Sequence, residues 1–291
     1  MNAFFRKIFI SSDEPRLRAG WRLLLQLLII IPIGMITGAA SKVLLPFWHG
    51  GMLQDQLIEL IIFTLSIYIA RRWFDKRSFT SLGLKLDKKM WADLLAGIAI
   101  TFLLMGFIYL IEFSIGWITF EGFAWDTEPA SRVTLNLLGI FFVFVLVGWN
   151  EELLSRGYQL QNLADGLNLI WAVILSSAFF GFLHLGNPNA TWASVAGIFF
   201  AGLFLAYGYL RTGQLWLSIG LHIGWNFFEG AIFGFPVSGL DIYPLTQITV
   251  KGPELWTGGA FGPEAGLVVL PALALGMGLI YWYSREKRLR E

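Results

Sequence analysis

Hydrophobic positions along this chain fall into long unbroken runs. They show neither the three-to-four-residue rhythm of a surface helix nor the strict alternation of a half-buried strand. Eight stretches are long enough, or nearly so, to cross a bilayer as helices: roughly 21–45, 55–70, 91–118, 133–163, 167–186, 190–210, 214–235 and 265–284. A transmembrane helix needs about 20 mostly apolar residues. The second stretch is short and carries Asp55 and Glu59 near its start, and the fourth is apolar only as far as Trp149 before continuing as a polar amphipathic helix. The pattern predicts an all-α polytopic integral membrane helix bundle of about eight transmembrane helices, with residues 1–291 as a single integral membrane domain. Met1–Gly20 has charges on both sides of a very short apolar run, which is not the layout of a signal peptide.

Composition narrows the classes further. Of the 291 residues 56% are hydrophobic and only 14% are charged, against about 25% charged in a soluble domain. That much apolar surface calls for lipid as the solvent. The 21 basic and 20 acidic residues nearly cancel, so there is no positive field for nucleic acid. The absence of cysteine removes disulfides, thiolate metal sites, a cysteine nucleophile and palmitoylation.

Lys and Arg placement sets the expected topology, because short cytoplasmic loops are enriched in them. With eight spans and the N-terminus inside, eighteen of the 21 fall inside, including Arg71, Arg72, Lys76, Arg77, Lys85, Lys88 and Lys89; Lys42, Arg132 and Lys251 fall outside. This places the protein in the cell's inner or plasma membrane with both termini cytoplasmic. The stretch Phe235–Gly266 is then an outer loop, rich in Gly and Pro, that covers the helices, with Trp256 and Phe261 as candidate interface anchors. Ala193, Gly197 and Ala201 form a small-residue ridge suited to close helix packing.

Ionisable groups within membrane spans are costly and point to function. Three short motifs concentrate them. In Glu151-Glu152-Leu-Leu-Ser-Arg156 the adjacent carboxylates project about 100° apart on a helix. Glu152 and Arg156 stand at i, i+4 in the favoured acid-first order, while Glu151 looks to another face. The second motif is Phe180-Gly-Phe-Leu-His184. The third is His222-Ile-Gly-Trp-Asn226, whose two polar heads share one helix face, with Glu229 one turn further on. The chain has three histidines; the remaining one, His49, lies in a loop. Placing the turn between spans four and five at Asp165-Gly166-Leu167 puts Glu151 15 residues before Gly166 and His184 18 after it. At 1.5 Å per residue both then lie about 22–27 Å from the turn. If the hairpin protrudes into the cytoplasm, the site lies in the cytoplasmic half.

Together these residues resemble the CPBP family of CAAX-processing type II prenyl endopeptidases and bacteriocin-processing proteins, also called Abi. The family pattern is Glu-Glu-x-x-x-Arg, Phe-x-x-x-His and His-x-x-x-Asn/Asp, in that order on separate membrane helices. The resemblance covers about residues 133–235, the motif-bearing core. It implies an intramembrane endopeptidase acting on a membrane-associated peptide or protein substrate in the lipid bilayer. Peptide hydrolysis needs an activated water, donors for the developing oxyanion and a proton for the leaving amine. Glu151 suits the water-activating carboxylate, His184 the proton shuttle, and His222 with Asn226 the oxyanion hole; Glu152 and Arg156 support the helix. The same atoms also permit a metal site. Glu151, His184 and His222 resemble the two-His-one-Glu zinc set of soluble metalloproteases, although no HExxH is present. The cofactor is therefore either none or one divalent metal such as zinc. Two other classes fit the motifs less directly: a non-catalytic membrane binding or bacteriocin-immunity scaffold, and a transporter using Glu59, Glu112 and Glu229. Against the transporter, there is no inverted repeat or pair of broken helices.

Overall fold

The structure is a computed structural model that describes residues 4, 8–11, 15–44 and 50–285. His49 and the basic residues Arg6, Lys7, Lys287, Arg288 and Arg290 lie outside the described residues. The helices are α1 (Ala19–Leu44), α2 (Gly51–Ile69), α3 (Lys88–Ser114), α4 (Ala130–Glu152), α5 (Leu160–Gly166), α6 (Leu169–Leu183), α7 (Trp192–Thr212), α8 (Leu215–Asn226) and α9 (Val269–Ser284). Among the described residues, six helical runs are long and apolar enough to cross a membrane: Ala19–Leu44, Gly51–Phe74, Lys88–Ser114, Ala130–Gly166, Leu169–Gly186 and Trp192–Thr212. The fold is all-α and polytopic, as the hydrophobic pattern implied. The seventh stretch is also helical but less apolar, and the eighth is helical but shorter.

Three helices widen into π-helical turns: Ala70–Phe74 after α2, Leu153–Gln159 after α4 and Phe227–Ile232 after α8. Such turns are rare and gather at functional sites. One of the three begins inside the acidic motif, after Glu152, and another directly follows the His-x-x-x-Asn motif, after Asn226.

The chain divides into two compact units, Met1–Lys85 with Trp149–Ser176, and Leu86–Gly148 with Ser177–Glu291. Residues 133–235, expected as the motif-bearing core, are shared between them.

In the first unit α1 leaves Leu24, Leu28, Ile31, Met35 and Ile36 exposed, a face that only lipid can solvate. Its polar interior is a network of buried ion pairs. Asp75 meets Arg71 at 2.8 Å and Arg22 at 3.3 Å, while Asp165 meets Arg16 at 3.0 Å, Arg77 at 3.2 Å and Arg22 at 3.3 Å. Gln161 ties α5 to the loop after α2, accepting from Arg71 and donating to the Leu82 carbonyl, both at 2.9 Å. Sequence alone presents Arg16, Arg22 and Arg71 as solvated topogenic charges. All three are instead buried, because the two aspartates supply the pairing that makes an interior guanidinium tolerable.

In the second unit α8 runs through the middle, and every residue from Leu215 to Asn226 is buried. With the π-helical Phe227–Ile232 it forms a continuous run from Leu215 to Ile232, whose His222, Asn226 and Glu229 make it more polar than the other spans. Its backbone lies directly on α3. A side chain at Gly220 would overlap the Leu94 carbonyl, and one at Gly224 would overlap Thr101. Leu104, Phe204, Leu217, Leu221, Trp225 and Leu273 fill the surrounding core. Two strands that the hydrophobic pattern did not predict, β1 (Ile118–Phe123) and β2 (Thr246–Val250), pair antiparallel with an irregularity between Phe120 and Gly122. The long loop after α8 is thereby tied to the α3–α4 connection. Phe261, expected as an interface anchor, is 2% exposed in the core, whereas Trp256 is exposed.

Candidate functional site

The acidic motif belongs to the first unit. Glu152 and Arg156 pair at 2.8 Å as the i, i+4 spacing implied, and both are fully buried. The π-turn that begins at Leu153 keeps this pair intact. Glu151 is half-buried on the neighbouring face, and its carboxylate and that of Glu59 repel each other. Glu59 is held by Gln56, which donates to it at 3.0 Å; the Asn150 amide donates to the Gln56 carbonyl and side-chain oxygen, both at 3.1 Å. Asn150 and Glu59 are thus neighbours of Glu151 that no motif singled out. A polar residue at i−1 and a carboxylate inside the second span were the available signals.

The two histidine motifs belong to the second unit and come together there. Phe180 is 4% exposed, and its ring packs edge-on against both imidazoles, 4.8 Å from that of His184 and 6.1 Å from that of His222. The Phe of the Phe-x-x-x-His motif thus contacts two histidines from different helices. His222 and Asn226 are both buried and one turn apart on α8. His184 sits where α6 gives way to a 3-10 turn. Its Nδ1 lies 2.8 Å from the Phe180 carbonyl. A carbonyl only accepts, so Nδ1 carries the proton there and a neutral His184 presents its Nε2 lone pair. That tautomer can accept a proton at Nε2.

A fourth group enters this layer from the loop. Glu264 lies in the turn Pro263–Ala265, is 4% exposed, and accepts from the Ser238 hydroxyl at 2.5 Å. Burial pushes its carboxyl above the ordinary range, opposed by the Ser238 hydrogen bond and by attraction to His184 and His222. Glu229 is fully buried and its charge repels that of Glu264. Gly197, expected to serve helix packing, instead admits this loop: a side chain at 197 would overlap the Glu264 carbonyl. Helix packing uses other glycines. A side chain at Gly181 would meet the Val195 carbonyl at 2.7 Å, and one at Gly202 would meet Ser177 at 2.8 Å. Glu264 was missed in sequence because a single acidic residue in a Gly/Pro-rich loop carries no periodic signal.

The electrostatic neighbours of Glu264 include His184 and His222, and Ser238 holds it; Glu264 and Ser238 both belong to the loop that the basic-residue pattern assigns to the outer side. Among the described residues no group of three or more His, Asp or Glu side chains is placed to hold a metal ion.

Comparison with known proteins bears on the same residues. Residues 133–228 match the family of type II CAAX prenyl endopeptidases, Rce1-like. The matched segment contains all three motifs and supports a CPBP-family intramembrane protease domain. Over 252 residues, 82% of this chain and 80% of the relative, the sequence is 26% identical to YyaK of Bacillus subtilis (strain 168), described as an uncharacterized protein.

Proposed function

We propose that this protein is a CPBP-type intramembrane endopeptidase that hydrolyses a peptide bond in a membrane-associated substrate. The observation that carries the reading is the packing of His184 and His222, from different helices, against buried Phe180, with Asn226 one turn along α8. An integral membrane protein gains little from burying such groups unless they do chemistry. Each residue is assigned a role by its own chemistry. Glu151 takes a proton from the attacking water. His184, with Nδ1 committed to the Phe180 carbonyl, receives or returns a proton at Nε2. His222 and Asn226 donate to the oxygen that becomes negative as the carbonyl is attacked. The leaving amine then takes its proton from Glu151 or His184.

Cleavage of a membrane-peptide library by the detergent-purified protein, with and without chelator, tests the reading. Cleavage is expected in both conditions. His222→Ala and Asn226→Ala are each expected to lower the rate by about 10²–10³-fold, the usual loss of one oxyanion donor, with little change in KM. Stoichiometric zinc in the wild type that disappears only in His222→Ala would replace this mechanism with a metal-based one.

We also propose that both termini and the Gly166 turn face the cytoplasm, which the distribution of basic residues supports. Since the native chain has no cysteine, single cysteines report cleanly. A cysteine at 251 is expected to react with an impermeant maleimide from the outside and one at 166 only from the inside. Labelling of both from one side would overturn the orientation.

A further inference from the structure

The first unit holds a group of charges that the hydrolase reading does not use. Three guanidinium groups converge on one carboxylate oxygen: Asp165 Oδ2 accepts from Arg16 at 3.0 Å, from Arg77 at 3.2 Å and from Arg22 at 3.3 Å. Arg22 also donates to Asp75, whose other oxygen accepts from Arg71 at 2.8 Å. Four arginines therefore share two aspartates. Arg18 and Lys76 stand nearby, donating to the carbonyls of Ile10 and Pro15. Asp13 and Glu14 lie outside the described residues; counted by sequence, they leave six cations against four carboxylates. Positive charge taken out of water needs compensation, and the excess favours an anion.

The same residues line a cavity of about 680 Å³, within the range of about 300–1,000 Å³ typical of small-molecule sites. Arg16, Arg18, Arg22 and Asp165 contribute its charges, and Gly20, Leu24 and Gly166 also line it. Arg22 is 2% exposed, yet among the described residues its enclosed Nε has no hydrogen-bond partner. A buried donor left over at a cavity wall points to an acceptor that belongs there. α1 starts at Ala19, so the positive end of its dipole adds to the field of the arginines. Leu24 also begins an exposed apolar face that continues through Leu28, Ile31 and Met35, spaced four, three and four residues apart. An anion held at the arginines thus has a lipid-solvated helix face leading away from it.

We propose that this cavity binds the phosphate headgroup of an anionic lipid, with the arginines on the phosphate oxygens and the acyl chains along the exposed face of α1. Guanidinium groups match phosphate oxygens in geometry and charge, and basic pockets beside membrane helices suit such headgroups. A zwitterionic lipid would bring its own cation against the arginines. The apolar face distinguishes a lipid from a free phosphate, which has no use for it. Lipid binding here is independent of the hydrolase reading.

Gly20 allows a test that leaves the ion pairs in place. A side chain at this helical position would meet nothing within 4 Å, and a carboxylate suits the first turn of a helix. Gly20→Glu therefore adds negative charge at the cavity without crowding. The full-length protein is stripped of lipid in neutral detergent, and its thermal midpoint is followed as phosphatidylglycerol, phosphatidylcholine of the same chain length or inorganic phosphate is added. A ligand that binds the folded state raises the midpoint. Phosphatidylglycerol is expected to raise it saturably, while phosphatidylcholine and inorganic phosphate leave it nearly unchanged. Arg18→Gln is expected to weaken the phosphatidylglycerol response about tenfold in concentration, the loss of one charge-assisted contact, and Gly20→Glu by at least as much. Lys88→Gln, an equal change of net charge at a residue that does not line the cavity, should respond as wild type does. No response in wild type overturns the proposal and leaves the compensation to Asp13 and Glu14. An equal response to phosphatidylcholine or to phosphate alone also overturns it, as does an equal loss in Lys88→Gln. Should Gly20→Glu fail to fold, an undiminished response in Arg18→Gln is decisive against it.

Discussion

Glu151→Gln is expected to reduce peptide cleavage by about 10²–10⁴-fold, the range a positioned general base contributes, while leaving the protein's stability near that of wild type. Gln matches Glu in shape but cannot take the proton that makes water a nucleophile. The structural cost is small for two reasons. Glu151 is half-buried rather than enclosed, and its charge works against that of Glu59. Removing the Glu151 charge relieves Glu59 and takes from Arg156 one of two attracting carboxylates, and the two effects oppose each other. The measurement is cleavage rate beside the thermal midpoint in detergent. A folded Gln variant with wild-type turnover would remove Glu151 as the base, and a variant that loses activity only because it melts earlier would assign the residue to structure.

Glu152→Gln should show the opposite balance. Its carboxylate is 0% exposed and pairs with Arg156, itself 1% exposed, at 2.8 Å. Neutralising one partner of a buried pair strands the other charge, a loss of about 3–5 kcal/mol. Two neighbouring carboxylates would thus separate cleanly, one failing in rate and the other in stability. Arg156→Met alone should be similarly damaging. The double variant Glu152→Gln/Arg156→Met should recover much of the loss, since no charge is left stranded. The experiment is a double-variant cycle on the thermal midpoint. Additive losses would show that the pair is not the structural unit inferred here.

Several features of this molecule follow from local periodicity. Hydrophobic runs give helices wherever they are long, since an interior without water requires each backbone group to find its partner within the segment. Spacing of four along a helix brings side chains onto one face, so the Glu152–Arg156 pair and the His222–Asn226 face could be read directly. What periodicity cannot carry is the meeting of distant segments. Phe180 is legible as part of its motif, but only packing brings its ring against both histidines. Arg22 and Arg71 read as surface charges until Asp75 is placed between them. Glu264 lies 42 residues beyond His222 and 80 beyond His184, in a loop whose glycines looked like flexible punctuation. Gly197 and Gly262 are instead gaps that admit the backbone of this loop.

The sequence by itself determined that this chain lives in a membrane, that its elements are helices, and which three motifs concentrate polar and ionisable groups within its spans, because those depend on composition and on spacing within one helix. Tertiary structure alone decided that a loop carboxylate becomes an electrostatic neighbour of the two histidines, that two aspartates bury three arginines, and that strands 118–123 and 246–250 pair. Each of these depends on close approach between segments far apart in the chain, where a missing Cβ or an available counter-charge settles which contact can form.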